Sequence, residues 1–323
     1  MPPYEPGSRD DALAALLHEL KAVNYAFVTP TPATHARVVA RPDRRVARDL
    51  RGALGWSLPF ATGSIPPRTE ELLHAAGALS EADGMWRSAI RVSSLRGDLY
   101  IHSAFPTDAA NAVFFGPDSY RFADLIAAEL RDVVGRPRIV DIGTGSGVGA
   151  IVASRCRPDS VVLATDINAE ALRFAAINAK AAHVEIEFRH GRDLAGIEGP
   201  FDVVVANPPF MVDSSARAYR DGGGARGSQV SFNIAQAAIP ALAAGGRLIL
   251  YTGSPIVDSF DELADKLGTM SRLANVALQY REIDPDIFGE ELDGQSYSSV
   301  DRIAAVAALF RVPVESMGSH IPR

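Results

Sequence analysis

The chain has 323 residues, 47% of them hydrophobic and 22% charged, with a formal net charge of −7 at pH 7. This is the composition of an ordinary globular protein, and the length favours one large domain with a smaller companion. The negative charge argues against broad, sequence-independent binding to nucleic acid. The single cysteine, Cys156, excludes an internal disulfide and a cysteine zinc cluster, so we expect no metal.

The sequence predicts neither secretion nor insertion into a membrane. The first residues lack a basic stretch followed by an apolar one, so a signal peptide is not predicted. No run of about 18 apolar residues is present, so no membrane span is predicted. A cytoplasmic location fits these observations.

The first third of the chain is predicted to form three helices and a β-hairpin. Ser8 is a suitable N-cap, and leucines at helical spacing follow it. Residues 29–34, rich in Pro and Thr, are interpreted as a break. The predicted helices are 8–24, 43–53 and 68–79, and the predicted strands lie within 86–103 around Gly97-Asp98. These elements favour a small α+β, winged-helix-like domain over residues 1–108.

Six arginines crowd the stretch 37–51 against only two aspartates. A solvated surface and a patch that contacts phosphate groups both explain this cluster, and the sequence leaves the choice open.

The segment 138–149 (RIVDIGTGSGVG) organises the rest of the chain. An apolar run ends in an acid and breaks into alternating glycines before a helix, the pattern by which α/β sheets bind nucleotide-like ligands. Strands and helices then alternate, which predicts a mostly parallel sheet covered on both faces. The predicted strands are 138–142, 161–166, 184–189, 201–206, 246–252, 275–283 and 303–311, and the predicted helices are 121–134, 147–155, 168–182, 228–243 and 258–270. Residues 116–119 (GPDS) are predicted to form a turn, and 220–227 (RDGGGARG) a loop too polar and glycine-rich to pack.

Three features sharpen this pattern. Asp141 precedes the glycines, Asp166 ends the second strand, and the fourth strand runs into Asn207-Pro208-Pro209-Phe210. Together they resemble the class I S-adenosylmethionine-dependent methyltransferases that act on nitrogen, over roughly residues 111–311. The resemblance implies a seven-stranded, Rossmann-like methyltransferase sheet over 109–323 and S-adenosylmethionine as the cofactor.

The tetrapeptide suits methyl transfer to a planar nitrogen. The Asn207 side-chain carbonyl and the Pro208 backbone carbonyl can each accept one N–H of an amide or exocyclic amine, which favours rehybridisation of that nitrogen. Phe210 can stack on the planar group. We therefore predict Asn207, Pro208 and Phe210 as catalytic residues.

The other candidate site residues follow from position in the resembled fold. The cofactor is expected to contact the backbone and side chains of the glycine turn, the ribose acid, an acid after the third strand and an apolar neighbour. These residues are Asp141, Gly143, Thr144, Gly145, Gly147, Asp166, Ile167, Asp193 and Asn207. A capping or surface role is the alternative for Asp193, and a core role is the alternative for Ile167. Candidate substrate contacts are Phe115 and Tyr120 before the first sheet strand and Tyr219 and Arg220 after the tetrapeptide, where a packed turn and a mobile surface loop are the alternatives.

The acceptor itself is not named by the sequence. RNA or a protein glutamine is favoured, and a small metabolite bearing an amine, amide or guanidine is the alternative. A nicotinamide-dependent oxidoreductase leaves Asn207-Pro208-Pro209-Phe210 unexplained, and a non-catalytic cofactor-binding module leaves intact Asn207 and Asp166 unexplained.

Overall fold

The computed structural model describes residues 8–213, 217, 219–224 and 226–314. Within them, four helices and four short strands come first. These are α1 (Ser8–Ala22), α2 (Pro32–Val39), α3 (Leu50–Leu54), α4 (Pro67–Ala75), β1 (Leu79–Ala82), β2 (Met85–Ser88), β3 (Ile90–Leu95) and β4 (Asp98–Ser103).

The second part alternates helix and strand. Its elements are α5 (Pro117–Glu129), β5 (Arg138–Ile142), α6 (Val148–Cys156), β6 (Val161–Asp166), α7 (Ala169–Ala181), β7 (Glu187–His190), β8 (Phe201–Ala206), α8 (Gln229–Ala238), β9 (Leu242–Val257), β10 (Phe260–Asp261), α9 (Glu262–Ala274), β11 (Ala277–Asp284) and β12 (Arg302–Arg311). Short 3₁₀ turns lie at Pro42–Arg44, Ile239–Ala241, Gly289–Asp293 and Gln295–Tyr297.

Helix α1 forms where predicted and buries one face. Its leucines at positions 13, 16, 17 and 20 are all buried, and the helix packs against α4 and α7. Each buried leucine stabilises the fold by about 1.5–3 kcal/mol relative to an exposed one. Leucine spacing therefore identified this helix correctly.

The predicted second helix at 43–53 is wrong. The chain forms α2 earlier and the short α3 later, with a 3₁₀ turn and bends between them. Thr31 accepts a hydrogen bond from the Thr34 N–H at 3.2 Å and Pro32 opens the helix, so the Pro/Thr stretch starts a helix and is not a break. Asp49 caps α3 through the Gly52 N–H at 2.7 Å.

Two hairpins are present among the described N-terminal residues, where one was predicted. The β3–β4 turn consists of Arg96 and Gly97, and the β1–β2 turn consists of Asp83 and Gly84. All four residues have positive φ, between 50° and 87°. Such turns match the twist of the flanking strands. The Asp-Gly pair was the signal for the hairpin that the sequence analysis missed.

The N-terminal elements pack on the outer face of α7. The apolar side chains of α7 belong to the same buried cluster as those of α1, α4 and β4. Asn178 of α7 is fully buried, and its carboxamide bonds to both the N–H and the C=O of Ile101 in β4 (2.8 and 3.0 Å) and to the Ser146 carbonyl (2.8 Å). This one side chain fixes β4 beside the glycine turn. The division of the chain at residue 108 stays a prediction.

The central sheet confirms the predicted fold class. Its strand order is β11-β12-β9-β8-β5-β6-β7, and β10 adds a short eighth strand beside β9. The pairs β5–β6, β5–β8, β6–β7 and β8–β9 are parallel, and β9–β12 and β11–β12 are antiparallel. The carboxyl ends of β5, β6 and β8 therefore meet at one edge, which is where ligands bind in sheets of this kind.

Several boundaries differ from those predicted. Residues 117–119 are the first turn of α5, with Gly116 as its N-cap, and are not a turn of their own. Strand β7 begins at Glu187. Helix α9 begins at Glu262 because Asp261 caps it by accepting from the Ala264 N–H at 2.9 Å.

Candidate active site

A cavity of about 550 Å³ lies at the carboxyl ends of β5, β6 and β8. Its walls come from the glycine turn after β5, the acid after β6, the tetrapeptide after β8, and the loop before α5. Of the predicted site residues, those that line it are Gly143, Thr144, Gly145, Asp166, Ile167, Asn207, Pro208, Phe210, Tyr219 and Arg220.

The glycine turn depends on backbone angles that other residues rarely adopt. Gly143, Gly145 and Gly147 have φ of 70°, 55° and 87°. The N–H groups of Gly143 and Thr144 both donate to the Thr165 carbonyl at 2.9 Å, which ties the turn to β6. Gly147 does not line the cavity, and a Cβ there would lie 3.1 Å from that of Ala175. Gly147 therefore permits close packing of the turn against α7.

Asp141 holds the turn from behind and does not line the cavity. Its carboxylate is 1% exposed and accepts from the Thr144 hydroxyl at 2.6 Å and the Ala150 N–H at 2.9 Å. Burial raises the pKa of Asp141 to about 7. A Cβ on Gly149 would lie 2.7 Å from this carboxylate, so the fourth glycine makes room for the acid.

Asp166 faces the cavity with acceptor capacity to spare. One carboxylate oxygen accepts from the Gly145 N–H at 2.9 Å and the other from the Asn168 N–H at 2.8 Å. A carboxylate has about four acceptor positions, so both oxygens can still accept from a pair of hydroxyls. Burial raises the pKa of Asp166. Ile167 beside it is 41% exposed, which excludes the core role that was its alternative.

Asn207 and Pro208 present unused acceptors. Both line the cavity directly after β8, and within the described residues neither the Asn207 carboxamide nor the Pro208 carbonyl has a hydrogen-bond partner. Leaving such groups without partners costs free energy unless water or a ligand binds them. These two carbonyls are therefore a ready binding site for N–H groups.

Phe210 is held from two sides. Its ring lies against Gly253 of β9 and 5.9 Å from the ring of Phe288. A Cβ on Gly253 would collide with the Phe210 ring. Gly253 therefore leaves the space that the ring occupies.

The prediction that 220–227 does not pack is wrong. Gly222 donates to the Met211 carbonyl at 2.8 Å, and Cβ atoms on Gly222 or Gly227 would collide with the backbone around Phe210. Because these glycines lack side chains, the loop lies directly on the tetrapeptide and supports it.

Tyr219 and Arg220 close one side of the cavity through contacts with distant parts of the chain. The Tyr219 hydroxyl donates to the Thr107 carbonyl at 2.7 Å, and its ring stacks on Phe114 at 5.7 Å. Arg220 forms an ion pair with Glu291 at 2.5 Å. This side of the cavity is thus joined to the N-terminal part of the chain.

The neighbouring Arg217 is firmly paired. Its guanidinium donates to both oxygens of Asp213 at 2.8 Å. The hydrogen bonds from Arg217 lower the pKa of Asp213 to about 2. The loop that follows the tetrapeptide is therefore stabilised by this ion pair as well as by the close packing of its glycines.

Besides Asp141 and Gly147, three further predicted residues do not line the cavity. Phe115 is 1% exposed, in contact with His102 and Tyr100, whereas Phe114 lines the cavity. The Tyr120 hydroxyl accepts from the Thr29 N–H at 3.0 Å. Asp193 accepts from the Ala195 N–H at 2.7 Å, while Arg192 lines the cavity. Phe114 and Phe115 lie outside helices and strands, and their side chains point in opposite directions, so an error of one residue exchanged a wall residue for a core residue.

Asp118 is a cavity residue that the sequence analysis missed. It is 4% exposed and accepts from the Tyr251 hydroxyl at 2.6 Å, and Arg121 lies 3.3 Å from it. Burial raises its pKa. Its signal was an acid directly after Gly116-Pro117, the pattern that starts a helix.

Comparison with known proteins supports a methyltransferase. Residues 122–277 match the family model described as "Methyltransferase small domain". With the sheet order and its cavity, this match supports the predicted resemblance to the class I S-adenosylmethionine-dependent methyltransferases. Members of this class use S-adenosylmethionine.

Two relatives and one solved structure are similar to this chain. The chain is 33% identical over 181 residues to a release factor glutamine methyltransferase of Deinococcus radiodurans, covering 52% of this chain and 64% of that protein. It is 30% identical over 194 residues to one of Neisseria gonorrhoeae, covering 55% and 66%. The chain thus spans less than two thirds of these relatives. Among solved structures, Trm5b of Pyrococcus abyssi shares the fold, with a TM-score of 0.50, 15% identity and coverage of 76% and 68%.

The described residues lack two features. No helix in that part of the chain is long and apolar enough to cross a membrane. No group of three or more His, Cys, Asp or Glu side chains there is arranged to hold a metal ion.

Proposed function

We propose that this chain transfers a methyl group from S-adenosylmethionine to a planar nitrogen, either an amide or an exocyclic amine. The observation that carries the proposal is the pair of unused acceptors at Asn207 and Pro208 on the wall of the cavity. An amide –NH₂ has two N–H groups to donate, and two carbonyls match them.

The cavity residues fit the proposed cofactor. Asp166 keeps free acceptor positions for the two ribose hydroxyls, and Ile167 offers an exposed apolar surface for an adenine face. The positive φ of Gly143 and Gly145 lets the backbone approach a ligand closely. A cavity of about 550 Å³ is within the range of small-molecule sites.

S-adenosylmethionine supplies an activated methyl group on a sulfonium. The chain's own contribution is to hold the acceptor nitrogen. Asn207 and Pro208 draw the two N–H groups toward their oxygens, which turns the nitrogen lone pair out of conjugation and leaves it free to form the new bond. The Phe210 ring, fixed by Gly253 and Phe288, supports the planar group. Transfer would break the sulfur–methyl bond and leave S-adenosylhomocysteine, and the methylated nitrogen would lose one N–H proton to solvent water.

A protein glutamine is the first acceptor that we propose. The relatives from Deinococcus radiodurans and Neisseria gonorrhoeae are named for that substrate, and their similarity supports the proposal. A glutamine side chain ends in the planar –CO–NH₂ group that two carbonyl acceptors can orient.

An RNA base is the second candidate, favoured by a separate observation. The six arginines between 37 and 51 are all exposed, and in the described structure only Arg44 has a carboxylate within 4 Å, that of its neighbour Asp43 at 3.9 Å. Helix α2, which leads into this stretch, begins at Pro32 on the cavity wall. Exposed guanidinium groups beside the cavity suit a phosphate backbone.

One experiment tests the activity and chooses the acceptor. The full chain is incubated with methyl-labelled S-adenosylmethionine and separate pools of protein, RNA and metabolites from bacterial cells. We expect label in protein, recovered as N-methylglutamine; label in RNA identifies the second candidate. Absence of label from every pool, when the chain binds the cofactor, contradicts the proposed activity.

A further inference from the structure

Asp118 lies on the cavity wall in the first turn of α5, and only one of its two carboxylate oxygens is in use. Oδ1 accepts from the Tyr251 hydroxyl at 2.6 Å and from the Arg121 guanidinium at 3.3 Å. Oδ2 has no hydrogen-bond partner among the described residues, and it is not one of the polar atoms that are closed off from water. Because the residue is 4% exposed and lines the cavity, this accessible oxygen opens into the cavity.

The charge on Asp118 is only partly balanced by the protein. Arg121 is its one ion-pair partner in the described structure, and that guanidinium lies closer to Asp284, at 2.7 Å. The three groups carry one excess negative charge, and burial raises the pKa of Tyr251, which stays a neutral phenol. A buried carboxylate without a full partner is costly, and burial raises the pKa of Asp118. A cation beside Oδ2 would offset this cost.

The other acids of the cavity wall differ from Asp118. Asp166 accepts backbone N–H groups on both of its oxygens, and Asp221 accepts from the Gly223 N–H at 3.1 Å. The side chain of Asp108 is 76% exposed. Among the four acids on the described wall, Asp118 alone is buried. Its charge is therefore the one least screened by solvent.

The neighbouring part of the wall suits a negative group. Phe122 of α5 and Val148 of α6 belong to one buried cluster and both line the cavity, so Asp118 and the start of α6 border the same part of it. The first N–H groups of a helix are free to bind an anion, and the helix dipole favours one there. A carboxylate beside such a helix start matches an α-amino acid, which carries an ammonium and a carboxylate on one carbon.

We propose that Asp118 binds the α-ammonium group of S-adenosylmethionine through Oδ2. This inference rests on the proposed cofactor and adds a contact that the glycine turn and Asp166 do not supply. An ammonium has three N–H donors, whereas the sulfonium, the other cation of this molecule, has none to offer a carboxylate oxygen. Asp166 then holds the ribose and Asp118 the amino-acid end of the same ligand.

The test compares three nucleosides by calorimetric titration of the full chain. S-adenosylmethionine carries the ammonium and the sulfonium, S-adenosylhomocysteine the ammonium alone, and 5′-methylthioadenosine neither. Asp118→Asn keeps the shape and the acceptor for Tyr251, and it should bind the first two at least about 10-fold more weakly and the third within about twofold of the wild type. Asp124→Asn, at an exposed position of the same helix, should leave all three dissociation constants unchanged.

The outcomes separate this contact from the proposed activity. Unchanged binding of S-adenosylhomocysteine by Asp118→Asn would overturn the proposal, whether or not S-adenosylmethionine binds more weakly, since a loss confined to the latter points to the sulfonium. An equal loss for 5′-methylthioadenosine would also overturn it. If Asp118→Asn does not fold, Asp118→Ser carries the same comparison. A wild type that binds none of the three contradicts the proposed cofactor and this contact together, and loss of methyl transfer with the expected affinities bears only on the acceptor side.

Discussion

The two walls of the cavity differ in how their polar groups are satisfied. On the glycine-turn wall, Asp141 and Asp166 bind backbone N–H groups of the turn and of the helices beside it, so the wall is shaped before any ligand arrives. On the opposite wall, glycines lie against Phe210, while the acceptors of Asn207 and Pro208 have no hydrogen-bond partner among the described residues. The preformed glycine-turn wall suits the cofactor, which binds in the same way in every cycle. The unused acceptors of the other wall suit the nitrogen that receives the methyl group, because its geometry changes as it reacts.

The comparison predicts that the largest effect of a single substitution lies on the acceptor wall. Asn207→Ala should lower turnover roughly 10²–10³-fold, the loss typical of one oriented hydrogen-bonding group, because one of the two acceptors is removed. Affinity for S-adenosylmethionine should stay within about twofold, measured by calorimetric titration. Asn233→Ala, at an exposed position of α8, is the matched control. Near-normal turnover in Asn207→Ala would refute the role of this side chain.

Asp166→Ala should mainly weaken cofactor binding, whereas Asn207→Ala should mainly lower turnover. Loss of its charge-assisted hydrogen bonds should weaken cofactor binding by about 1–3 kcal/mol, both directly and because the Gly145 N–H loses its acceptor. The measurement is the dissociation constant of S-adenosylhomocysteine. A drop in rate at saturating cofactor with unchanged affinity would show that Asp166 does not hold the ribose.

Two glycine substitutions perturb one wall each without removing a polar group. Gly149→Ala places a Cβ 2.7 Å from the Asp141 carboxylate, and Gly253→Ala places one against the Phe210 ring. Each should destabilise the fold by about 1–3 kcal/mol, since neither neighbour has room to move. Gly149→Ala should mainly weaken cofactor affinity, and Gly253→Ala should mainly lower turnover. The same kinetic change in both variants would mean that the walls do not act separately.

The last prediction is a pH dependence of stability. The folded-state pKa of Asp141, about 7, lies above its ordinary value of 3.8, so the folded chain binds more protons than the unfolded chain between these pH values. The contribution of Asp141 to stability is therefore complete below about pH 4 and is lost as the pH rises toward 7. Asp141→Asn should flatten this part of the profile, measured by urea unfolding between pH 5 and 8. An unchanged slope would show that Asp141 does not titrate in this range.

The sequence predicted the parts of the site that depend on chain order. Strands β5, β6 and β8 are strongly apolar and end in conspicuous residues, so Asp166 and Asn207 could be placed at one edge of the sheet. The direction of individual side chains in irregular segments could not be predicted, which is why Phe115 and Asp193 were chosen where Phe114 and Arg192 face the cavity. The glycine-rich composition of 220–227 also failed to predict that this loop packs. Its glycines allow packing because the absence of side chains leaves space for the Phe210 backbone.

The most direct test of the two-wall account is a crystal structure of the chain with S-adenosylhomocysteine. We predict that the ribose hydroxyls bind Asp166 and that the sulfur points toward Asn207 and Pro208, with their carbonyls still open to an acceptor. A nucleoside bound elsewhere, or a sulfur turned away from Asn207, would contradict it.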